Sequence, residues 1–118
     1  MKPEILIKRA YEKPEKKDGY RILVDRLWPR GIKKEEAAIV DWQKELAPST
    51  ELRKWFGHDP AVWTEFQKKY LAELKKNDAV AEFVEANKDR KKITLVYGAK
   101  DTEHTHALVL QQFLEGKF

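Results

Sequence analysis

Tyr20-Arg21-Ile22-Leu23-Val24-Asp25-Arg26-Leu27-Trp28-Pro29-Arg30-Gly31 is the stretch on which the reading of this chain turns. Residues 20–24 form the apolar run of a buried strand, and the run stops abruptly in Asp, two Arg, Trp, Pro and Gly. Open α/β sheets bind ligands in the crevice outside the carboxyl ends of their strands, so charged and aromatic groups at this point mark a candidate site. Two further segments share the pattern. Ile39-Val40-Asp41-Trp42 leads into Glu45-Leu46-Ala47-Pro48-Ser49-Thr50, and Ile93-Thr94-Leu95-Val96-Tyr97 leads into Gly98-Ala99-Lys100-Asp101-Thr102-Glu103-His104-Thr105-His106. If the three strands run parallel, their polar loops emerge on one edge and share one crevice.

Outward from these segments, Ile5-Leu6-Ile7-Lys8-Arg9 predicts a first strand, and residues 12–19 a polar loop closed by Asp18-Gly19. That loop is also short enough for an antiparallel hairpin with the second strand, read over residues 20–26. Residues 33–38 suit one or two helical turns. Apolar side chains at 39, 40, 42 and 46 fit a continuing helix about as well as a strand, and strand is the reading preferred for 39–45. Ser49 is the expected N-cap of a short helix through Leu52, Trp55 and Phe56 that ends at Gly57. Asp59-Pro60 then opens a long helix with a core stripe of Trp63, Phe66, Tyr70, Leu71 and Leu74. Asn77 or Asp78 caps another helix that turns Val80, Phe83 and Val84 inward, and Asp101 or Thr102 is expected to start the last one. Helices between strands leave room for right-handed crossovers. The order therefore predicts an α/β fold: a small single-domain three-layer sandwich over residues 1–118, with a mostly parallel sheet of about four strands.

Composition narrows the chemistry. The 118 residues are 42% apolar and 37% charged, with four Trp, four Tyr and five Phe, which suits one packed core under a wet exterior. The absence of cysteine excludes disulfides, thiolate zinc sites and thiol nucleophiles. No signal peptide or membrane span is predicted, and a cytoplasmic location is expected. A net charge of +4 favours anionic partners without naming one, and the lysine pairs 16–17, 68–69, 75–76 and 91–92 read as solvated faces.

Arg26 and Arg30 bracket Trp28-Pro29, and the planar guanidinium fork suits phosphate or carboxylate. The ordinary alternative is that Asp25 and Arg26 pair within the fold while Trp28 packs on a helix. Ser49 offers free N–H groups at a helix start, though capping alone explains it. His58-Asp59 reads as an oriented imidazole or as a polar turn with an N-cap. Asp101 to His106 is the richest stretch for proton transfer. His104 and His106 share one face of a strand but lie about 200° apart on a helix, so a shared metal ion would need extended backbone there. Lys100 directly follows the last strand and completes an anion pocket or stays solvated. None of the common nucleotide-binding or hydrolase signatures occurs.

Four ordered motifs carry a resemblance: Gly19 to Gly31, Glu45-Leu46-Ala47-Pro48-Ser49, Leu52-Arg53-Lys54-Trp55-Phe56-Gly57-His58-Asp59, and Tyr97-Gly98-Ala99-Lys100-Asp101-Thr102-Glu103-His104. Together they closely resemble the domain-of-unknown-function family 488, in its YeaO-like branch, from about residue 4 to residue 114. The resemblance implies an α/β fold and one shared pocket, with no established activity. Broader members show an Asp-Val-Arg then Trp-Pro-Arg type segment and, after the last strand, a Cys then Cys-His-Arg arrangement. This chain has Thr105-His106-Ala107 at the second site and lacks both Cys and that Arg, while Asp25-Arg26, Trp28-Pro29-Arg30 and His106 remain.

The expected ligand is a small anion or a phosphorylated, nucleotide-like molecule held by Arg26, Trp28, Arg30, Ser49, Arg53 and Lys100. For an enzyme of hydrolysis or group transfer, Asp25, His58, His104 and His106 are the candidate catalytic residues. No metal and no cofactor is expected, and the oligomeric state stays open. The alternative is a nucleic-acid-binding or protein-interaction module, with basic groups on phosphates and Trp28 or Trp55 stacked on bases. A small-ligand site needs the Arg and His side chains to converge in a concavity, whereas a nucleic-acid binder spreads them along a stripe.

Overall fold

The structure, a computed structural model, describes residues 2–118. Four strands, β1 (Glu4–Arg9), β2 (Tyr20–Leu23), β3 (Asp41–Trp42) and β4 (Lys92–Tyr97), form one sheet in the order β1-β4-β2-β3. All three pairings are parallel, which excludes the hairpin between β1 and β2. β4 runs through the middle because it is the chain's most uniformly apolar segment. Ile5 pairs with Ile93 on one side and Leu23 with Val96 on the other, and every β4 residue from Ile93 to Tyr97 is buried. A central parallel strand is covered on both faces and needs that continuous apolarity.

The strand order dictates which face each connection uses. From β1 the chain passes over β4 to β2, moves one place on to β3, then returns to β4. Parallel crossovers keep one hand, so the outward connections and the return must lie on opposite faces. The return carries α2 (Thr50–Phe56), α3 (Trp63–Lys75) and α4 (Asp78–Asn87), and α5 (His106–Glu115) follows β4. Their buried side chains, among them Phe56, Phe66, Tyr70, Phe83 and Leu110, pack with Ile5, Ile22, Val24, Ile93, Leu95 and Tyr97 of the sheet. The opposite face, with Leu23 and Val96, is covered by the outward connections through Ala10, Trp28, Ile32, Ile39 and Trp42. Among the described residues its only α-helix is the single turn α1 (Lys34–Ala37), so the second covering layer is thin. Among the described residues no helix is long and apolar enough to cross a membrane.

Several boundaries differ from the sequence reading. Residues 39–45 contain only the two-residue β3, followed by a 3-10 turn at Lys44–Leu46. Ile39 and Trp42 pack on the thin face while Leu46 is buried in the main core, so the apolar positions serve two different cores and show no single period. α5 starts at His106 with Thr105 as N-cap, and not at Asp101 or Thr102. Asp101 instead accepts the N–H groups of Glu103 and His104 at 2.8 and 2.9 Å. An Asx turn and an N-cap use the same side-chain chemistry, so the sequence does not separate them. The other caps follow expectation: Ser49 accepts from Leu52 N–H, Gly57 ends α2 in the left-handed region at φ 53°, and Asn77 caps α4.

Candidate functional site

The connections after β2 and β4 leave toward opposite faces, which makes their neighbouring carboxyl ends a topological switch point. Backbone pairing continues one residue beyond β2, where Val24 N–H donates to the Val96 carbonyl at 3.0 Å. There the chains diverge, and Asp25 spans the gap: its Oδ2 accepts Gly98 N–H at 2.8 Å. Only glycine allows so close an approach without adjustment, since a Cβ at position 98 would lie 3.0 Å from Asp25 Oδ2 and 3.5 Å from Pro29 Cβ. Asp25 Oδ1 lies 3.2 Å from His106 Nε2, while that nitrogen is 3.0 Å from the Val24 carbonyl and bonds to it. His106, the first residue of α5, is thus tied to the end of β2.

Above these contacts lies a cavity of about 440 Å³, within the usual size of small-molecule sites. Residues 25–30 after β2 form one wall, and Gly98, Ala99 and His104 to His106 after β4 another. Ala47, Pro48, Arg53, Lys54, Phe56 and His58 come from the entry to α2 and from its end. Four cationic side chains, Arg26, Arg30, Arg53 and Lys54, line it against the single carboxylate of Asp25.

The residues singled out in the sequence have different situations. Arg30 and Arg53 are exposed at the cavity with no side-chain partner among the described residues. Arg26 is half-buried, and its guanidinium donates to the carbonyls of Pro48 at 3.0 Å and Ala47 at 3.2 Å, pinning the entry to α2. It does not pair with Asp25. Trp28 donates from Nε1 to the Ile32 carbonyl at 2.6 Å, meets Trp42 edge-on with ring centroids 5.5 Å apart, and has the Lys34 ammonium at the start of α1 over its ring at 5.9 Å.

His58 is exposed at φ 56°, and Asp59 turns away from it to cap the following 3-10 turn through Ala61 N–H. Of the two readings of His58-Asp59, the structure has the polar turn. His104 is the oriented imidazole: its Nδ1 lies 2.8 Å from Asp101 Oδ2 and its ring meets Trp63 edge-on at 5.5 Å. The Glu103 N–H, opposed by desolvation and reinforced by His104, holds the Asp101 carboxyl below its ordinary value.

Two predicted ligand-binding residues lie outside the cavity. Lys100 is exposed at the surface. Ser49 already has an anion, Glu73, whose carboxylate accepts Ser49 N–H at 2.9 Å and the hydroxyl at 2.6 Å. The cavity also has members that sequence reasoning missed. Tyr11, beyond β1, donates its hydroxyl to the Arg30 carbonyl at 2.8 Å, and Lys54, Phe56 and Phe66 complete the lining. Tyr11 follows a strand end as Asp25 and Gly98 do, and that position was its available signal. Among the described residues no group of three or more His, Asp or Glu side chains is placed to hold a metal ion.

A small all-parallel α/β protein with an arginine-lined crevice at the carboxyl edge of its sheet is the class that fold and cavity define. The chain belongs to the DUF488 family: residues 4–118 match its DUF488-N3i model, described as the inactive DUF488-N3 subclade. It is similar to the uncharacterized protein YeaO of Escherichia coli (strain K12), 47% identical over 110 residues that cover 93% of this chain and 96% of YeaO. It is also 39% identical over 113 residues to the uncharacterized protein Rv3073c of Mycobacterium tuberculosis (strain ATCC 25618 / H37Rv), covering 96% and 95% of the two chains. The family and branch read from the four motifs are therefore correct. No solved structure matches the chain at a significant level.

Proposed function

We propose that this protein binds a small anionic ligand, of the phosphorylated and nucleotide-like class, in the crevice at the carboxyl edge of its sheet. One observation carries the reading: four cationic side chains converge on a concavity of about 440 Å³ that holds one carboxylate. Low-dielectric walls focus such a field and raise the local concentration of anions. Arg30 and Arg53 hold the anion directly, because their guanidinium groups have no other partner among the described residues. Arg26 shapes the wall and offers the ligand its remaining N–H donors. Phe56, Phe66 and Trp28 supply apolar lining against which a base or sugar packs. Convergence around a concavity favours a small ligand over the phosphate stripe of a nucleic acid.

Binding without turnover fits the site better than hydrolysis or group transfer. The two hydroxyls of the lining are committed, Tyr11 to the Arg30 carbonyl and Thr105 as N-cap of α5. Asp25 Oδ2 is occupied by Gly98 N–H and its Oδ1 is closed off from solvent against His106, and the family description as an inactive subclade points the same way.

Thermal-shift titration of the wild type against methyl phosphate, sugar phosphates, nucleoside monophosphates and short oligonucleotides tests the reading, with an Arg30→Ala/Arg53→Ala double variant beside it. A bound ligand raises the apparent stability by mass action. A rise in Tm with small phosphates that disappears in the double variant is the expected result. Stabilisation by oligonucleotides alone, falling steeply with salt, would transfer the site to nucleic-acid binding.

A further inference from the structure

We infer that the Asp101–His104 pair makes the cavity selective for phosphomonoesters that also carry a hydroxyl donor, a pentose phosphate free or within a nucleotide, over phosphomonoesters without one. The inference rests on the anion-binding reading above and adds a requirement at a second point of the ligand. His104 Nδ1 lies 2.8 Å from Asp101 Oδ2. A carboxylate only accepts, so the neutral imidazole carries its proton on Nδ1 and leaves a lone pair on Nε2. Asp101 is itself held, because its Oδ1 accepts the N–H groups of Glu103 and His104. The Trp63 edge packs against the ring, so neither member of the pair swings freely.

Most other polar side chains of the lining donate. The guanidinium and ammonium groups of Arg26, Arg30, Arg53 and Lys54 donate only. Tyr11 donates its hydroxyl to the Arg30 carbonyl and keeps its lone pairs, while Thr105 Oγ1 accepts Ala107 N–H. Asp25 Oδ2 takes Gly98 N–H, and Oδ1 is closed off from solvent against His106. His58 has no hydrogen-bond partner among the described residues to fix its tautomer. His104 Nε2, without a partner among the described residues, is an acceptor that Asp101 holds fixed, beside the Nδ1 that His106 is left with when its Nε2 donates to the Val24 carbonyl. A ligand that presents a phosphate to the arginines and a hydroxyl to His104 satisfies both. Methyl phosphate satisfies only the first.

Titration calorimetry at a pH where both ligands are dianions reads the effect as a ratio of dissociation constants for methyl phosphate and ribose 5-phosphate. One neutral hydrogen bond makes ribose 5-phosphate about 3- to 10-fold tighter in the wild type. His104→Ala removes this acceptor and leaves the four cationic side chains in place. The ratio then falls to about one, and because both ligands meet the same altered cavity, general electrostatics cancels from it. A retained cooperative melt of His104→Ala is the check on folding. Adenosine 5′-monophosphate separates the two sources of the pentose phosphate: a nucleotide site binds it more tightly than ribose 5-phosphate, a sugar phosphate site does not. A wild-type ratio of one, or a ratio that survives His104→Ala, overturns the inference while leaving anion binding intact. Failure of every phosphate to bind the wild type overturns the anion reading and this inference together.

Discussion

Asp25 Oδ2 and the backbone N–H of Gly98 meet at 2.8 Å, and this bond joins the carboxyl ends of β2 and β4 where their chains part toward opposite faces. It sets the width of the crevice. Gly98→Ala places a Cβ 3.0 Å from the carboxylate and 3.5 Å from Pro29, which is buried and cannot retreat cheaply. The strain of such overpacking is about 1–3 kcal/mol. Urea denaturation of Gly98→Ala should show a lower midpoint with an unchanged slope, and an unaltered midpoint would mean that the crevice wall yields.

Arg26 and Arg30 are four residues apart but do different work, and their alanine variants should separate cleanly. Arg26 donates to the Pro48 and Ala47 carbonyls, both on buried residues, so Arg26→Ala strands two acceptors and is expected to cost about 1–3 kcal/mol of stability. Arg30 is exposed and its guanidinium has no partner among the described residues, so Arg30→Ala should leave Tm unchanged and weaken anion binding only. Thermal melts of the two variants without ligand check this directly. Equal losses of Tm would place Arg30 in the scaffold.

Much of this arrangement was legible in the sequence because the two apolar runs 20–24 and 93–97 end in polar residues, and parallel strands put such ends together. Asp25, Arg26, Trp28, Arg30, Arg53, His58, His104 and His106 accordingly line one cavity. The end of β3 was not legible, since its apolar residues serve two cores, and neither was the Asx turn at Asp101. Ser49 was misplaced because an N-cap signal does not reveal that Glu73, 24 residues later, reaches back to it. The ion network of Lys8, Asp18 and Arg21 left no trace: Lys8 beside Arg9 and Asp18 between Lys17 and Gly19 read as solvated strand-end and turn positions, and Arg21 between Tyr20 and Ile22 as the outward position of a strand. Only the connection from β1 folding back over the sheet buries them, where Thr94 of β4 also donates its hydroxyl to the Asp18 carbonyl.

Ser49 and Glu73 should behave as one unit of stability. Ser49 Oγ accepts Leu52 N–H at 3.1 Å and donates to Glu73 at 2.6 Å, so Ser49→Ala removes both a helix cap and one of the two bonds from residue 49 to a half-buried carboxylate, leaving the backbone N–H bond at 2.9 Å. A cost of about 1–2 kcal/mol is expected. Glu73→Gln should cost less, and the double variant should lose less than the two singles together, since the bond they share is counted twice. A double-mutant cycle by chemical denaturation measures the coupling. Anion affinity should be unchanged throughout, because this pair lies outside the cavity.

The buried ion network on the thin face should make the protein acid-sensitive through one residue. Asp18 accepts from Arg21 Nη1 at 2.6 Å and from Lys8 Nζ at 3.1 Å, and the side chains of Asp18 and Arg21 are each only 4% exposed. Burial pushes the Asp18 carboxyl up, but the Glu15 N–H and the hydrogen bonds from Lys8 and Arg21 outweigh it and hold it below its ordinary value. A depressed carboxyl contributes stability that is complete above its unfolded value, about 3.9, and is lost as pH falls through the lower folded one. Lys8 has the opposite sign: desolvation lowers it, bonds to Glu15 and Asp18 raise it further, and its contribution is lost as pH rises through the raised value. Stability measured by urea denaturation should therefore fall below about pH 4 in the wild type. In Asp18→Asn the acid slope from this group should vanish, and the remaining stability near neutral pH should drop by about 3–5 kcal/mol, because the Arg21 guanidinium stays buried without its carboxylate. An acid slope equal to the wild type's in Asp18→Asn would assign the sensitivity to other carboxylates.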